Sequence, residues 1–499
     1  MSFFDNIALG FEVALTLNNL GFALLGCLVG TLIGVLPGLG PLATIAILMP
    51  ITFYLTPEAA IIMLAGIYYG SQYGGSTTAI LMNMPGESSA VVTCLDGYQM
   101  AKKGRGGAAL TVAALGSFFA GCVATVFIAL AAPPLARLGI LFGPADYFAL
   151  MVFGLTAAVV LAQGSLLKAI AMVFAGLLLG LVGTDVNSGA MRFTFGAPQL
   201  FDGLNFVALA MGLFGVSEII DSLIKGNRNP PTTATIDSLY PTREEFRAAA
   251  PASVRGTVLG SVLGVLPGGG ALLSSFASYA LEKRLARNPA EFGRGAIQGV
   301  AGPESANNAG AQTTFIPMLT LGIPPNAILA LLMGALMIHG IQPGPGVVTQ
   351  HPQLFWGLVA SMWVANAMLV IINLPLVGIW VQLLRVPYRL LFPVMLFFCA
   401  VGAFIESGNV LNVYLMAAFG VLGYVMKQME FEPAPLILAF ILGPMMEEYF
   451  RRAMLLSRGD PTTFVSNPIS LVLLLMTVGL AVLIVLPNFR KVREEAFQE

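Results

Sequence analysis

Long apolar stretches alternate with short polar connections along almost the whole 499-residue chain. A helix crossing a bilayer needs about 20 apolar residues. Stretches of that kind run at 60–82, 108–131, 147–162, 166–184, 204–223, 296–322, 354–383 and 469–487, with shorter ones at 391–406, 411–426 and 434–456. Helix is predicted for each, because an open strand leaves its backbone groups unpaired in hydrocarbon. Two further apolar stretches, 23–55 and 255–285, are broken near the middle by Pro and Gly. The pattern predicts an all-α polytopic membrane protein with about 11–12 transmembrane segments.

Composition agrees with the pattern. Hydrophobic residues make up 57% of the chain and charged residues 10%, where a soluble domain carries about 25% charged residues. The net charge of -1 leaves no electrostatic footprint for nucleic acid. Cys27, Cys94, Cys122 and Cys399 are scattered and form no CxxC pair, so they are expected to be packing residues. With only His339 and His351 present, a histidine metal site is not expected, and neither is a cofactor. Asp5 and Glu12 precede any Lys or Arg, which argues against a cleavable signal peptide.

Basic residues gather in cytoplasmic loops and so orient the spans. Lys102, Lys103 and Arg105 are the first in the chain, and their loop is placed inside. The linker with Lys225, Arg228, Arg243, Arg247 and Arg255 is placed inside too, as are Lys168, Arg385, Arg389 and the tail Arg490, Lys491 and Arg493. The nearly uncharged 132–146 falls outside. Arg451, Arg452 and Arg458 fit poorly, because the alternation of spans puts them outside.

The chain also repeats itself. GCLVGTLIGVLPGLGPL (26–42) matches GTVLGSVLGVLPGGGAL (256–272) without a gap, each residue facing the one 230 positions earlier, as Gly256 faces Gly26. A second pair follows. Gly74-Gly75-Ser76-Thr77-Thr78 before Met84-Pro85-Gly86 corresponds to Gly310-Ala311-Gln312-Thr313-Thr314 before Ile323-Pro324-Pro325. The stretch 255–285 has Arg255 at one end and Lys283, Arg284 and Arg287 at the other, so both ends belong inside; 23–55 has no basic residue near either end, so both belong outside. The expected architecture is an inverted-topology repeat with two re-entrant helical hairpins, the architecture of secondary transporters, although channels use re-entrant loops as well. The parts are a first membrane repeat (1–224, hairpin 23–55, spans 60–223), a cytoplasmic linker (225–254), a second repeat (255–468, hairpin 255–285, spans 296–456) and a final helix with its cytoplasmic tail (469–499).

A hairpin tip within the membrane exposes helix-end N–H and C=O groups, which are tolerated only where they line a cavity. The helix leaving a tip offers its N-terminus to a carboxylate. The candidate substrate-binding residues are therefore Gly38, Gly40, Gly268 and Gly270 at the tips, and Ser76, Thr77, Thr78, Asn307, Asn308, Gln312, Thr313 and Thr314 beside them. Ser71 and Gln72 add neutral donors. Carbonyls at Pro37, Gly38, Pro267 and Gly268 are candidate sodium ligands, and Glu304 is a candidate proton carrier or a locally paired carboxylate. Glu218 and Asp221 read as interfacial, and Glu447/Arg451 and Glu448/Arg452 as i,i+4 pairs.

YYGSQYGGSTTAILMNMPG (68–86), GPESANNAGAQTTFIPMLTLGIP (302–324), PLILAFILGPMMEEYFRRAML (435–455) and the doubled LPGxG resemble the TctA family, the large membrane subunit of the tripartite tricarboxylate transporters. The resemblance implies a multi-pass protein of the bacterial inner membrane. It implies a small membrane partner of TctB type, a periplasmic substrate-binding protein of TctC type, and uptake of citrate-like tri- and dicarboxylates, or other carboxylates, by symport with sodium or protons. A channel for ions or solutes is the alternative. An intramembrane protease would need GxSG or GxGD and an ATP-driven pump GxxxxGK[ST], and the sequence has none of these.

Overall fold

The computed structural model describes residues 2–36, 40–162, 165–185, 188–225, 239–266, 270–383 and 388–485. The first half contains α1 (Phe3–Ala14), α2 (Leu17–Val35), α3 (Pro41–Thr52), α4 (Pro57–Met82), α5 (Val91–Lys102), α6 (Gly106–Ile140), α7 (Pro144–Leu161), α8 (Leu166–Gly180), α9 (Phe206–Ala210) and α10 (Ser217–Lys225). The second half contains α11 (Arg243–Leu263), α12 (Gly270–Leu285), α13 (Gln298–Thr313), α14 (Phe315–Leu321), α15 (Ala327–Ile338), α16 (Gly346–Gln350), α17 (Pro352–Asn373), α18 (Val377–Leu383), α19 (Tyr388–Ser407), α20 (Val410–Gln428), α21 (Ala434–Leu456), α22 (Thr463–Ser466) and α23 (Pro468–Val485). The one sheet among the described residues is a pair of two-residue strands, β1 (Gly183–Thr184) and β2 (Met191–Arg192). The chain is an all-α membrane protein. α2, α6, the helix Phe206–Ile224, α17 and α20 are long and apolar enough to cross a membrane, and large apolar side chains such as Leu130, Phe174, Val425 and Leu475 point outward.

Local sequence sets the helix starts. The Thr16 hydroxyl caps α2 through Asn19 N at 3.3 Å, and Thr56 caps α4 with Pro57 at its first position. Thr242 and Glu245 form a capping box, so α11 begins at Arg243, well before the expected start at 255. Further differences have local causes. Span 296–322 pauses at Thr314 between α13 and α14, and 354–383 divides after Asn373 into α17 and α18. The helix of 204–223 contains a π-helical segment at Met211–Val216. α1, α5 and α15 were not expected; α5 carries Asp96 and Lys102, and α15 is only 12 residues long.

The glycines of the repeat set the packing. Positions Gly26, Gly30 and Gly34 of α2 lie on Met63, Ile67 and Ser71 of α4, each partner 37 residues further on, so the two helices run parallel. A Cβ on Gly30 would fall 2.8 Å from the Ile67 Cα. Backbones this close leave no room for any side chain. In the second half Gly256, Gly260 and Gly264 lie on Gly302, Ala306 and Gly310, each 46 residues on, so α11 and α13 are parallel too. Because α4 runs parallel to α2, the chain between them travels back through α3. α12 likewise returns: Ser274 meets Gly310, Ser278 meets Gly302, and Glu282 binds Arg255 at the start of the pair (2.6 and 2.7 Å).

α6, 35 residues and about 52 Å long at 1.5 Å per residue, links the two ends of the molecule. Near its start Gly116 packs on Ser253 and Ser305; near its end Gly139 packs on Thr320 and Pro345. Ion pairs gather at the helix ends. Lys427 binds Glu218 (2.8 Å) and Asp221 (2.6 Å), and Lys168 meets Glu430 (3.5 Å). Arg451 is held by Asp185 (3.1 Å) and Glu447 (2.6 Å), and Arg192 joins them through Glu447 (2.9 Å). Arg451 is thereby paired with two carboxylates.

Candidate functional site

Each helical interruption ends in a new helix start. α2 stops at Val35, and α3 begins with Gly40 as its cap and Pro41 at its first position. α11 stops at Leu263, and α12 begins at Gly270 with φ 39°. Only glycine takes that conformation freely. Both starts border one cavity of about 340 Å³, to which Gly40, Pro41 and Leu42 come from the first repeat and Gly270, Ala271 and Leu272 from the second. The starts of α15 (Pro325, Asn326, Ala327) and α21 (Ala434, Pro435) border it as well. Asn326 caps α15 by accepting from Leu329 N at 2.9 Å.

Four helix N-termini thus converge, each carrying about half a positive charge. No Lys or Arg lines the cavity among the described residues; Glu87 and Glu432 are its acidic members, with Tyr68, Gln72, Ser88 and Ser89 as polar neighbours. A site that attracts an anion through backbone amides, with carboxylates in the same wall, suits an anionic solute accompanied by a cation.

Glu87 Oε1 accepts from Ser89 Oγ (2.6 Å) and from Asn307 Nδ2 (3.2 Å), which joins the two halves. One layer behind, the fully buried Glu304 accepts from Ser76 Oγ (2.6 Å) and from Thr93 Oγ1.

The expected residues fall into four places. Gly40 and Gly270 line the cavity, and Thr314 packs beside Gly270. Asn307 reaches the cavity through Glu87, while Ser76 holds Glu304 behind it. Thr77, Thr78, Asn308, Gln312 and Thr313 bond within the helix packing. Thr78 donates to Gly75 O (3.0 Å), Asn308 to Ser117 Oγ (2.7 Å) and Thr313 to Ala309 O (3.0 Å), while Gln312 Oε1 accepts from Thr125 (2.9 Å) and Thr77 lies 3.4 Å from Tyr73 O. Pro37, Gly38, Pro267 and Gly268 lie outside the described residues. Glu87, Ser89 and Asn326 were missed. The available signal was an acidic residue directly after the Pro85-Gly86 break of an otherwise uncharged stretch.

The fold and cavity define a polytopic helical membrane protein, internally repeated around a solute-sized chamber. The chain belongs to the tripartite tricarboxylate transporter TctA family, whose profile matches residues 20–438. An Agrobacterium vitis protein described as an uncharacterized 52.8 kDa protein in the TAR-I ttuC' 3'region is 54% identical over 499 residues, covering 100% of this chain and 99% of its own. A second one from that organism, described as an uncharacterized protein in the TAR-II ttuC' 3'region, is 56% identical over 240 residues, which is 48% of this chain and 99% of its own. No solved structure matches the chain.

Proposed function

We propose that the chain is the translocating subunit of a secondary transporter that imports tri- or dicarboxylates with a cation through the bacterial inner membrane. One observation carries the reading: the helix starts of both repeats line one cavity whose wall, among the described residues, holds no Lys or Arg. A carboxylate seated there is held by dipoles that need no proton or counter-charge of their own. The return arms α3 and α12 support reading the two interruptions as re-entrant hairpins that enter from opposite faces. Arg255 and Glu282 close the base of the second on the cytoplasmic side. The base of the first lies at the other end, where Thr52 is near His339. Alternating access then consists of opening one hairpin while the other stays shut. The family description, tripartite, supports a small membrane subunit and a periplasmic binding protein that delivers the solute.

The test uses the three-component assembly in proteoliposomes, with radiolabelled citrate and a panel of other carboxylates. Ala158→Trp places an indole in the cavity from α7, where Ala158 lines the wall and is half-buried. Uptake is expected to fall at least about tenfold, the loss of some 1.4 kcal/mol of binding, with membrane abundance unchanged. Full uptake by this variant refutes the cavity as the route. Rapid uptake by the chain without its two partners refutes the tripartite arrangement.

A further inference from the structure

The hairpin turns were the sequence-based place for a sodium ion; the described geometry points to the cavity wall at Glu87. Its Oε1 accepts from Ser89 Oγ at 2.6 Å and Asn307 Nδ2 at 3.2 Å, and Ser89 Oγ stands 3.3 Å from Gln72 Oε1. Asn307 is 1% exposed, yet its Oδ1 has no hydrogen-bond partner. A buried amide oxygen without a donor is costly, and such groups mark a missing ligand. Here the amide that carries the unpartnered oxygen donates its Nδ2 to a carboxylate, which also receives the Ser89 hydroxyl and the Gln72 side chain. The oxygens this cluster offers are a carboxylate, a hydroxyl and two amide carbonyls, with one negative charge and no thiol or imidazole, which is donor chemistry that suits a hard cation.

Gln72 and Glu87 come from the first repeat and Asn307 from the second, so a cation here ties the halves together. Charge explains why it would matter for transport. The convergent helix starts attract an anion, and an ionised Glu87 in the same wall repels it. With Glu87 neutralised, that repulsion is removed.

We propose that Glu87, Gln72, Ser89 and Asn307 bind the coupling sodium ion, and that an anionic substrate enters the cavity only once this site is filled. The proposal rests on the carboxylate-transport reading above. By linkage, substrate and sodium must then raise each other's affinity by the same factor.

The first readout needs no substrate: equilibrium binding of radioactive sodium to the purified full chain. The wild type is expected to bind saturably. Glu87→Gln is expected to weaken binding about tenfold or more, and Ser89→Ala and Asn307→Ala to weaken it in the same direction. Glu58→Gln, a carboxylate at the start of α4, should bind as the wild type does. Three variants guard against misfolding of one, and size-exclusion profiles check each. The second readout is carboxylate uptake by the reconstituted assembly. Wild-type uptake should require sodium, and Glu87→Gln uptake should no longer respond to it. Sodium binding unchanged in Glu87→Gln and Asn307→Ala overturns the site. A wild type that binds no sodium and responds to pH alone overturns it in favour of a proton. Absence of carboxylate uptake by the wild-type assembly, with sodium binding intact, instead refutes the transport reading.

Discussion

Asp96 on α5 is fully buried and joins three elements. Its Oδ1 accepts from Gly295 N (2.7 Å) and Ala296 N (2.8 Å) ahead of α13, and its Oδ2 accepts from the Tyr279 hydroxyl (2.9 Å) on α12. One carboxylate thus fastens the first repeat to both the second hairpin and the helix packed on it. A hydrogen bond to a charged group contributes about 1.5–3 kcal/mol. Three bonds to one carboxylate do not add, and Gly295, being half-buried, can recover water. Asp96→Ala should therefore cost about 3–4 kcal/mol. Asp96→Asn keeps an oxygen for both backbone amides and an amino group for Tyr279, so it should cost about 1 kcal/mol, the difference between a charged and a neutral bond. Unfolding of such a protein is irreversible and is read as a rate. At a fixed temperature in detergent, the monodisperse peak of Asp96→Ala should decay at least about tenfold faster than wild type, with Asp96→Asn in between. An Ala variant as durable as the wild type refutes the fastening role, and an Asn variant as poor as Ala shows that charge, not bonding geometry, matters there.

Two other measurements bear on the scaffold. Gly30→Ala and Gly260→Ala each drive a Cβ to 2.8 Å from a backbone Cα, of Ile67 and of Ala306; overpacking of about 1–3 kcal/mol should lower membrane abundance, and normal abundance of both would contradict the backbone contacts. Cysteines at positions 57 and 286 should react with impermeant thiol reagent from opposite faces of the membrane; reaction of both from one face rules out the inverted hairpins.

The repeat was legible because its cause is steric and local. Where backbones touch, every fourth residue of α2 and α11 must be glycine, and that spacing shows in the letters. The register of the helices packed on them was not legible. Sequence pairing sets Gly74 against Gly310, whereas packing sets Ser71 against Gly310 in the equivalent role. Runs of Gly, Ala, Ser and Thr are interchangeable in volume, so letters alone cannot fix which residue faces the ladder. Glu87 and Asp96 escaped notice because they follow the end of an apolar run, where a polar residue reads as exposed loop; the partners that hold them come from segments some 200 positions away. Glu218 and Asp221 read correctly as lying at a helix end, but their partner, Lys427, was beyond the reach of local pattern.

The mismatch in register has a consequence for the two hairpins. Their inbound arms correspond at an interval of 230 residues (Gly30 and Gly260), whereas the residues that receive those arms, Ile67 and Ala306, stand 239 apart. The second copy therefore has nine more residues than the first between inbound arm and receiving helix. Part of that difference is visible as length: α12 has 16 residues and α3 has 12, about 6 Å at 1.5 Å per residue. The pseudo-symmetry is thus imperfect, and the two helix starts at the cavity belong to arms of unequal length. A two-fold operation therefore cannot superpose the two return arms residue for residue.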